Sequence, residues 1–315
     1  QLQILPVTLS NFHSPWDVPY LHKWSLDVQR QLPDEFLLDV GYVGSRGIHL
    51  IRTIDSNQPV ANAAVAGGQI SANAVRPYPG FGAINDYVTS GNSLYHSLQV
   101  SLVRRFSRGF SIQSAYTFSK SRDDTSTPPN SYLAIKPEWG LSGFDRTHVS
   151  VSSFVWELPL GAQWRGWEKR LFHGWSISGI LSFQSGNPMT ITIPSDRAGT
   201  GGGGQRPDVL GPVERLMTLS RWFTTSAFAL PALGTFGNAG RNIVRGPGIN
   251  NWDTSFIKKT QLKENVSLQF RAEFFNLFNH TQFSGVGTGF NSSTFGQVTS
   301  ARNPRVSQLA LRLAF

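Results

Sequence analysis

Hydrophobic and polar residues alternate with a period of two along most of the chain, whereas the spacing typical of helices is almost absent. In residues 110–120, for example, phenylalanine, isoleucine and tyrosine alternate with serine, glutamine and threonine. Nine segments carry the pattern, near 20–31, 35–46, 93–106, 110–120, 146–158, 171–185, 250–260, 266–278 and 305–315. Such alternation is typical of strands with one apolar and one polar face, so the sequence predicts an all-β fold.

Three details of these segments are open to test. The alternation admits an extension of the second segment to Ile54, and of the sixth through "MTITI". In the fifth segment, we assign Val149, Val151 and Val155 to the apolar side, and the intervening serines with His148 to the polar side.

The connections between the segments alternate between short and long. The short ones are 32–34, 107–109, 159–170 and 261–264, and the long ones are 55–92, 121–145, 194–249 and 280–304. In an up-and-down meander, this order places every long loop at the same end. Short turns at one end and long loops at the other are typical of outer-membrane barrels, so the sequence predicts an antiparallel up-and-down transmembrane β-barrel.

Nine strands is an odd number, whereas single-chain bacterial barrels have an even number. Either residues 2–10 supply a tenth strand, or the chain is the C-terminal part of a larger barrel. We favour the second interpretation, because the chain starts at Gln1 without an initiator methionine or a signal peptide. The fold expected is therefore a partial barrel of about nine or ten strands.

The amino-acid composition fits the wall of a transmembrane β-barrel better than a soluble β-sandwich. Only 15% of the 315 residues are charged, and the polar sides of the strands carry mainly serine, glutamine and threonine. Aromatic residues gather near predicted strand ends, among them Phe36, Phe110, Trp164, Trp167 and Phe278. Aromatic girdles at both water boundaries are typical of membrane barrels.

The sequence offers little enzymatic chemistry. There are no cysteines, and the seven histidines do not occur at metal-ligand spacing, so we expect no metal and no cofactor. The stretch "GTGGGGQRPD" lacks the Gly-Lys-Ser/Thr of a phosphate-binding loop and is interpreted as a flexible external loop. The net charge of +9 comes from scattered arginines, which argues against a nucleic-acid partner. We therefore expect a protein that is not an enzyme.

The eighth segment changes character along its length. Alternation is regular from Val266 to Glu273, but Phe275 and Leu277 then fall on the side that had carried charge. We expect an inward-folded loop to cover these two side chains at the outer rim. Asparagines 276 and 279 would then bind loop backbone, and Leu268→Arg should damage folding more than Gln269→Arg.

Two groups of residues are candidates for a functional role. Charged side chains on the polar sides of the strands are expected to face the lumen, namely Asp27, Arg271, Glu273 and Arg312. In the last segment, one side carries the terminal apolar residues Leu309, Leu311, Leu313 and Phe315. We also expect Asp145 and Arg146, in the stretch "FDRTH", to pair at the start of a strand.

A family resemblance is carried by several stretches in order, namely "WSLDVQRQLPDEFLLDVGYVGSRGIHL", "SLYHSLQVSLVRRFSRGFSIQSAYTFSKS", "FDRTHVSVSSFVWELPLG", "GTFGNAGRNIVRGPGINNWDTSF", "QFRAEFFNLFNH" and "FGQVTSARNPRVSQLALRLAF". Together they resemble the C-terminal barrel of TonB-dependent outer-membrane receptors. The most similar type is the large Oar-like kind, which is common in acidobacteria and has a carboxypeptidase-regulatory-like domain at its N-terminus. The resemblance covers nearly the whole chain.

The resemblance implies a 22-stranded barrel, closed by an N-terminal plug, that imports a solute with energy passed through TonB. Residues 1–315 show no plug, no TonB box and no regulatory-like domain, so we expect them to be the C-terminal barrel segment. The implied location is the cell outer membrane. The implied partners are outer-membrane lipid and lipopolysaccharide, an unidentified solute, and the TonB complex through N-terminal parts.

The terminal pattern ending in Phe315 resembles the signal read by the barrel-assembly machinery, which is a further implied partner. Two alternative functions remain open at this point. One is a non-transporting outer-membrane barrel whose loops bind ligands or adhere to surfaces. The other is a soluble secreted β-protein that binds glycans through exposed aromatic side chains.

Overall fold

The computed structural model describes residues 6–133 and 138–315. The strands in this part of the chain are β1 (Val7–Phe12), β2 (Tyr20–Gln31), β3 (Phe36–Asp55), β4 (Phe81–Ser107), β5 (Phe110–Asp123), β6 (Gly140–Leu141), β7 (His148–Glu157), β8 (Trp175–Gln184), β9 (Pro188–Met189), β10 (Asp208–Val209), β11 (Phe228–Ala229), β12 (Val244–Arg245), β13 (Ile249–Lys263), β14 (Val266–Phe275), β15 (Phe283–Val286), β16 (Val298–Ala301) and β17 (Val306–Ala314). The helices are α1 (Ala63–Ala66) and α2 (Gly166–Phe172), with 3₁₀ turns at Pro33–Glu35, Ala72–Val75 and Thr225–Ala227. No helix in the described ranges has the length and apolar character needed to cross a membrane.

Nine long strands form one antiparallel meander in the order β2-β3-β4-β5-β7-β8-β13-β14-β17. Each of them pairs with the next long strand along the chain, and these nine strands correspond to the nine predicted segments. The prediction of an all-β up-and-down sheet is therefore confirmed. The sheet is open, because β2 and β17 form its two edges and do not pair with each other.

The turns and loops alternate as predicted. The short connections are residues 32–35, 108–109, 158–174 and 264–265, and we call their side of the sheet the turn end. The long connections, 56–80, 124–147, 185–248 and 276–305, lie at the opposite loop end. Arg108 and Gly109 both have positive φ (50° and 79°), which is the type I′ geometry that suits a two-residue hairpin.

One face of the sheet is apolar across all nine strands. Directly paired residues point to the same side, and Leu268 is opposite Leu313 while Phe270 is opposite Leu311. Following the pairings across the sheet gives the apolar face, which includes Trp24, Leu26, Val28, Val40, Tyr42, Val100, Leu102, Ile112, Phe118, Phe154, Trp156, Ile177, Leu181, Phe256, Phe270 and Leu311. The opposite, polar face carries mainly serine, glutamine and threonine.

The apolar face does not form a core. Leu26 and Leu311 are 70% and 69% exposed, and Trp156 of the central strand β7 is 44% exposed. A soluble sandwich would bury such a face against a second sheet. An exposed apolar face on every strand requires an apolar environment outside the protein.

The facing assigned to the fifth segment was wrong. In β7, Val151 is opposite Ala115 and Ser182, on the polar face, together with Val149 and Val155. Ser152 lies on the apolar face instead, and its hydroxyl is 2.7 Å from the hydroxyl of its cross-strand partner Ser114. Because the two serines bind each other, they are tolerated beside aromatic neighbours.

Several boundaries also differ from the sequence prediction. Residues 81–92, expected in a loop, extend β4, because they pair with the end of β3 and with β1. The possible tenth strand is β1, which runs parallel to β4 and is not part of the meander. The sixth segment starts late, since α2 occupies 166–172, and Met189 belongs to the short strand β9 that pairs with β12.

The dry core lies in the long loops. Residues from 185–248 and 276–305 form a hydrophobic cluster of buried side chains, namely Ile191, Trp222, Phe223, Ala227, Phe228, Val244 and Val286. Phe223 packs edge-on against Phe228 and Phe295, and the indole of Trp222 donates to the carbonyl of Arg245 over 2.7 Å. The loops therefore pack into an ordered cap above the sheet.

Candidate functional site

Buried ion pairs hold the loops to one another and to the strand ends. The Arg241 guanidinium, from loop 185–248, donates to the Asp123 carboxylate at the end of β5 over 2.8 Å. It also donates to the hydroxyl of Ser126 and to the carbonyl of Glu138. The side chains of Arg241 and Asp123 are 1% and 3% exposed, so this pair is removed from solvent.

A second buried pair joins the same two loops. Arg206 donates to both carboxylate oxygens of Glu138, over 2.9 and 2.6 Å. Asn130 reinforces the junction, because its carbonyl accepts from the backbone of Arg206 and its amide donates to the carbonyl of Gly237. Bidentate arginine–carboxylate contacts fix orientation as well as distance, so this junction sets the relative position of the two loops.

The pairing expected within "FDRTH" was wrong. The Asp145 carboxylate is fully buried and binds Arg245, whereas Arg146 donates to the backbone carbonyl of Asp145. Asp145 also accepts from the backbone of Ser121 in β5. The carboxylate therefore ties the start of β7 to a distant loop, which adjacency in sequence could not reveal.

The glycine-rich stretch is more ordered than a flexible loop. The Asp196 carboxylate accepts from the backbone amides of Gly199, Thr200 and Gly201 and from the side chain of Gln205. Only residues 201–204 are exposed, and Thr200, Gln205 and the following arginine are buried. The backbone amides that a phosphate group would need are thus already bound to the protein's own carboxylate.

A cavity of about 520 Å³ opens between three of the long loops and the extension of β4. Its size is within the range of small-molecule sites, which is roughly 300–1,000 Å³. Beside apolar surface from alanine and two prolines, its walls carry many hydroxyl and amide groups, from Gln58, Asn85, Thr127, Asn130, Tyr132, Thr190, Thr192, Thr200 and Gln205. The cavity is therefore suited to a polar solute that makes several hydrogen bonds.

Charge in this cavity is largely neutralised by the protein. Arg76 lies 3.4 Å from Asp55, and both side chains are mostly buried. Burial, and secondly the charge of Asp55, raise the pKa of Tyr132 above its ordinary value, so its phenol stays protonated at neutral pH. The buried hydroxyl of Thr127 has no partner among the described residues.

The charged residues predicted for the lumen all lie on the polar face. Asp27 is opposite Gly41 in β3, and Arg312 is opposite Gln269 in β14. The Arg271 guanidinium is 3.5 Å from the Glu273 carboxylate, which also accepts from the hydroxyl of Ser255. Arg271 and Glu273 form a pair near the β17 edge, whereas Asp27 belongs to the opposite edge strand, β2. Their role toward a lumen stays a prediction.

The terminal residues lie where the alternation placed them. Leu309, Leu311 and Leu313 are on the apolar face, opposite Ala272, Phe270 and Leu268 of β14. Phe315 follows the last strand residue and is 97% exposed. Recognition by the barrel-assembly machinery stays a prediction for these four residues.

At the end of β14, the hydrogen bonds expected for the asparagines are present, but the expected covering of Phe275 is not. Asn276 has φ 56°, and its side chain donates to the carbonyl of His280 and accepts from the backbone amide of the same residue. The side chain of Asn279 accepts from the backbone amide of Arg305. Both asparagines thus bind loop backbone, as expected. Phe275, however, remains 48% exposed, because the turn at 276–279 carries the chain away from it.

Sequence reasoning missed the arginines and carboxylates at the loop end. Arg206 and Glu138 are 68 residues apart, and Arg241 and Asp123 are 118 residues apart, so no local spacing connects them. Within residues 6–133 and 138–315, no group of three or more metal-binding side chains comes together.

An open antiparallel meander with one apolar face, short turns at one end and a packed loop cap at the other defines a segment of a transmembrane β-barrel. Residues 3–308 match the family model described as outer membrane beta barrel domain, and the chain belongs to that family. It is therefore a protein of the cell outer membrane, and its apolar face contacts lipid. No curated protein matches the sequence at a significant level.

Several solved structures are similar to this chain. The outer membrane transporter YddB from Escherichia coli is 12% identical with a TM-score of 0.51, and the match covers 97% of this chain and 34% of that chain. The ferric-catecholate import receptor Fiu from Escherichia coli K12 is 10% identical with a TM-score of 0.47, covering 96% and 28%. The FrpB iron transporter from Neisseria meningitidis is 13% identical with a TM-score of 0.44, covering 96% and 33%.

This chain spans about a third of the length of those structures. At such identities the likeness concerns the fold alone. The chain is an outer-membrane β-barrel domain whose structural neighbours are named as transporters and receptors, not as enzymes.

Proposed function

We propose that this chain is part of the barrel of a TonB-dependent outer-membrane receptor that takes up a solute. The observation that supports this most is the combination of an open meander with an ordered loop cap. The free edges of β2 and β17 offer unpaired backbone groups, which a membrane barrel pairs with further strands. The likeness in fold to an outer membrane transporter supports the same proposal.

In this proposal, residues 1–315 form the C-terminal barrel segment, and the receptor is of the Oar-like type with an N-terminal carboxypeptidase-regulatory-like domain. The remaining strands, the plug and the contact with TonB come from parts outside this chain. The family resemblance in "QFRAEFFNLFNH" and in the terminal strand supports that assignment.

The cavity among the long loops is the proposed first contact for the solute. It lies at the loop end, which is the outer side of a barrel whose short turns face the periplasm. Its hydroxyl and amide walls favour a polar ligand, and the charges of Asp27, Arg271, Glu273 and Arg312 follow along the polar face toward the turn end. The loops would also contact lipopolysaccharide at the outer surface.

Uptake that depends on energy tests the proposal. Cells with and without the native-length protein are given a nutrient mixture, and depletion of each solute from the medium is measured by mass spectrometry. A transporter predicts at least one solute that is depleted only when the protein is present and the proton-motive force is intact. Depletion that is unaffected by a protonophore or by loss of TonB would contradict the proposal.

A second candidate is a non-transporting barrel whose loops bind ligands or adhere to surfaces. The packed loop cap, with its buried ion pairs, favours this candidate as much as it favours capture of a solute. It predicts binding at the cell surface that does not need energy. The soluble glycan-binding alternative is set aside, because the chain belongs to an outer-membrane barrel family.

A further inference from the structure

One connection at the turn end differs from the other three. The turn between β7 and β8 spans residues 158–174 and contains the helix α2, whereas the other turns have two to four residues. The helix ends at Phe172, and two residues later Gly174 has a φ of 84° and lies so close to the carbonyl of Lys259 that a side chain has no room there. The helix is thereby held against the turn end of β13.

Between α2 and β13 lies a groove of about 500 Å³. Four basic residues line it, namely Lys169 and Arg170 from the helix and Lys258 and Lys259 from the strand, and of the two strand lysines Lys258 lies on the apolar face. None of its lining residues within the described part of the chain is acidic. Like charges repel one another and an anion relieves that repulsion, so a groove of this composition favours an anionic occupant.

The groove opens on the lipid-facing side of the sheet. Lys258 belongs to the apolar face, because it is opposite Trp175 in β8 and Phe270 in β14. A lysine that faces lipid costs roughly 2–4 kcal/mol at the bilayer midplane but about 0–1 near an interface. Its position next to the helix therefore marks the boundary between hydrocarbon and water.

Aromatic side chains mark the same boundary. Trp156 and Trp175 lie on the apolar face at the turn ends of β7 and β8. Trp164 packs edge-on against Phe172 of the helix, with ring centres 5.3 Å apart, and Trp167 is 71% exposed beside the groove. Tryptophan is enriched where headgroups meet acyl chains, so the groove sits at headgroup level.

We propose that this groove binds the phosphate of an anionic phospholipid in the periplasmic leaflet of the outer membrane. Lys169 and Arg170 contact the phosphate, while Trp167 and Trp175 contact the glycerol and the upper acyl chains. Lys258 donates to the carbonyl of His173 and so holds the turn in place. The site is independent of the transported solute, and the helix acts as an interfacial anchor.

The test uses the native-length protein in detergent with equal amounts of phosphatidylglycerol and phosphatidylcholine, and retained lipid is measured by native mass spectrometry. We expect phosphatidylglycerol to be retained preferentially. The double variant Lys169→Gln/Arg170→Gln should weaken its retention by on the order of thirtyfold, since each basic residue near an anionic surface contributes about fivefold.

The matched control is Arg105→Gln/Lys263→Gln, which removes two exposed charges at the same end of the sheet but outside the groove. It should change retention by less than about twofold. Equal losses in the two variants, or equal retention of both lipids by the unmodified protein, would overturn the proposal. Displacement by soluble glycerol phosphate at equal concentration would overturn the choice of a lipid over a free phosphate.

Folding of each variant is checked by heat-modifiable mobility on a gel. If the double variant does not fold, the single variant Lys169→Gln serves instead, because Lys169 lines the groove, is exposed and has no side-chain hydrogen bond among the described residues. That variant should weaken retention about fivefold. Unchanged retention would count against the site.

Discussion

The guanidinium of Arg241 lies 2.8 Å from the carboxylate of Asp123, although 118 residues separate them in the chain. One residue ends a membrane strand and the other belongs to the longest loop. Both side chains of this pair are buried, whereas the side chains of Arg271 and Glu273, on the strand wall, are 45% and 23% exposed. The two pairs have the same chemistry but should differ widely in what they contribute to stability.

We expect Arg241→Gln to destabilise the loop cap by about 3–5 kcal/mol, because it leaves the buried Asp123 carboxylate without its counter-charge. The barrel wall should be little affected, since its strands pair without help from this contact. Limited proteolysis of loop 185–248 would report the change, with heat-modifiable mobility as the measure of the intact wall.

Arg271→Gln is the control for that experiment. Exposed ion pairs contribute about 0–1 kcal/mol, so this variant should resist proteolysis like the unmodified protein. Equal protease sensitivity of the two variants would show that the buried pair does not hold the cap.

The register of β7 gives a second prediction, namely that arginine is tolerated less well at a serine of this strand than at the neighbouring valine. Ser152→Arg should impair folding into phosphatidylcholine liposomes by roughly 2–4 kcal/mol, because Ser152 faces lipid near the middle of its strand. Val151→Arg should fold far better, since Val151 lies on the polar face. The folded fraction on an unheated gel measures both, and a greater defect in Val151→Arg would refute the register.

The wrong facing assigned to the valines of β7 shows what cannot be predicted from the sequence of a single strand. In seven of the nine strands, the apolar side carries long aliphatic or aromatic residues, so the alternation also gives the facing. In β13 it does not, because Lys258 and two threonines lie on the apolar face. In β7, valine alternates with serine, and the deciding residues are Phe154 and Trp156, which pair with Gly179 and Ile177 of β8. Facing there depends on cross-strand register, which a single strand's pattern does not contain.

The loop cap could not be predicted for a related reason. Its contacts join residues such as Asn130 and Gly237, or Arg206 and Glu138, across very different parts of the chain. Loop segments lack the periodicity that strands have, so neither their core nor their ion pairs leave a local pattern. The existence and the side of the long loops were predictable, because they depend only on the order of connection lengths.

A third prediction concerns Phe315. The side chain is 97% exposed and follows the end of β17, so Phe315→Ser should leave folding into liposomes unchanged. If the terminal pattern is read by the barrel-assembly machinery, the same variant should accumulate unassembled in cells. Gln308→Ser, on the polar face of the same strand, should assemble normally. Parallel behaviour of Phe315→Ser in cells and in liposomes would exclude a role as an assembly signal.

The fourth prediction follows from the pKa of Tyr132, which burial and then the charge of Asp55 raise above the ordinary value of about 10. Below that ordinary value the phenol is protonated whether the loop is closed or open, so its full contribution to closure is present. As the pH rises further, the open loop loses the proton first, and closure weakens until the pH passes the raised pKa.

Proteolysis of loop 124–147 should therefore accelerate as the pH rises above about 10 in the unmodified protein. Tyr132→Phe should reduce that acceleration, because the ring remains but the titrating proton is gone. Tyr78→Phe changes a tyrosine that is 57% exposed in the neighbouring loop, and it should behave like the unmodified protein. The same alkaline acceleration in Tyr132→Phe as in Tyr78→Phe would mean that loop closure does not depend on the protonation of Tyr132.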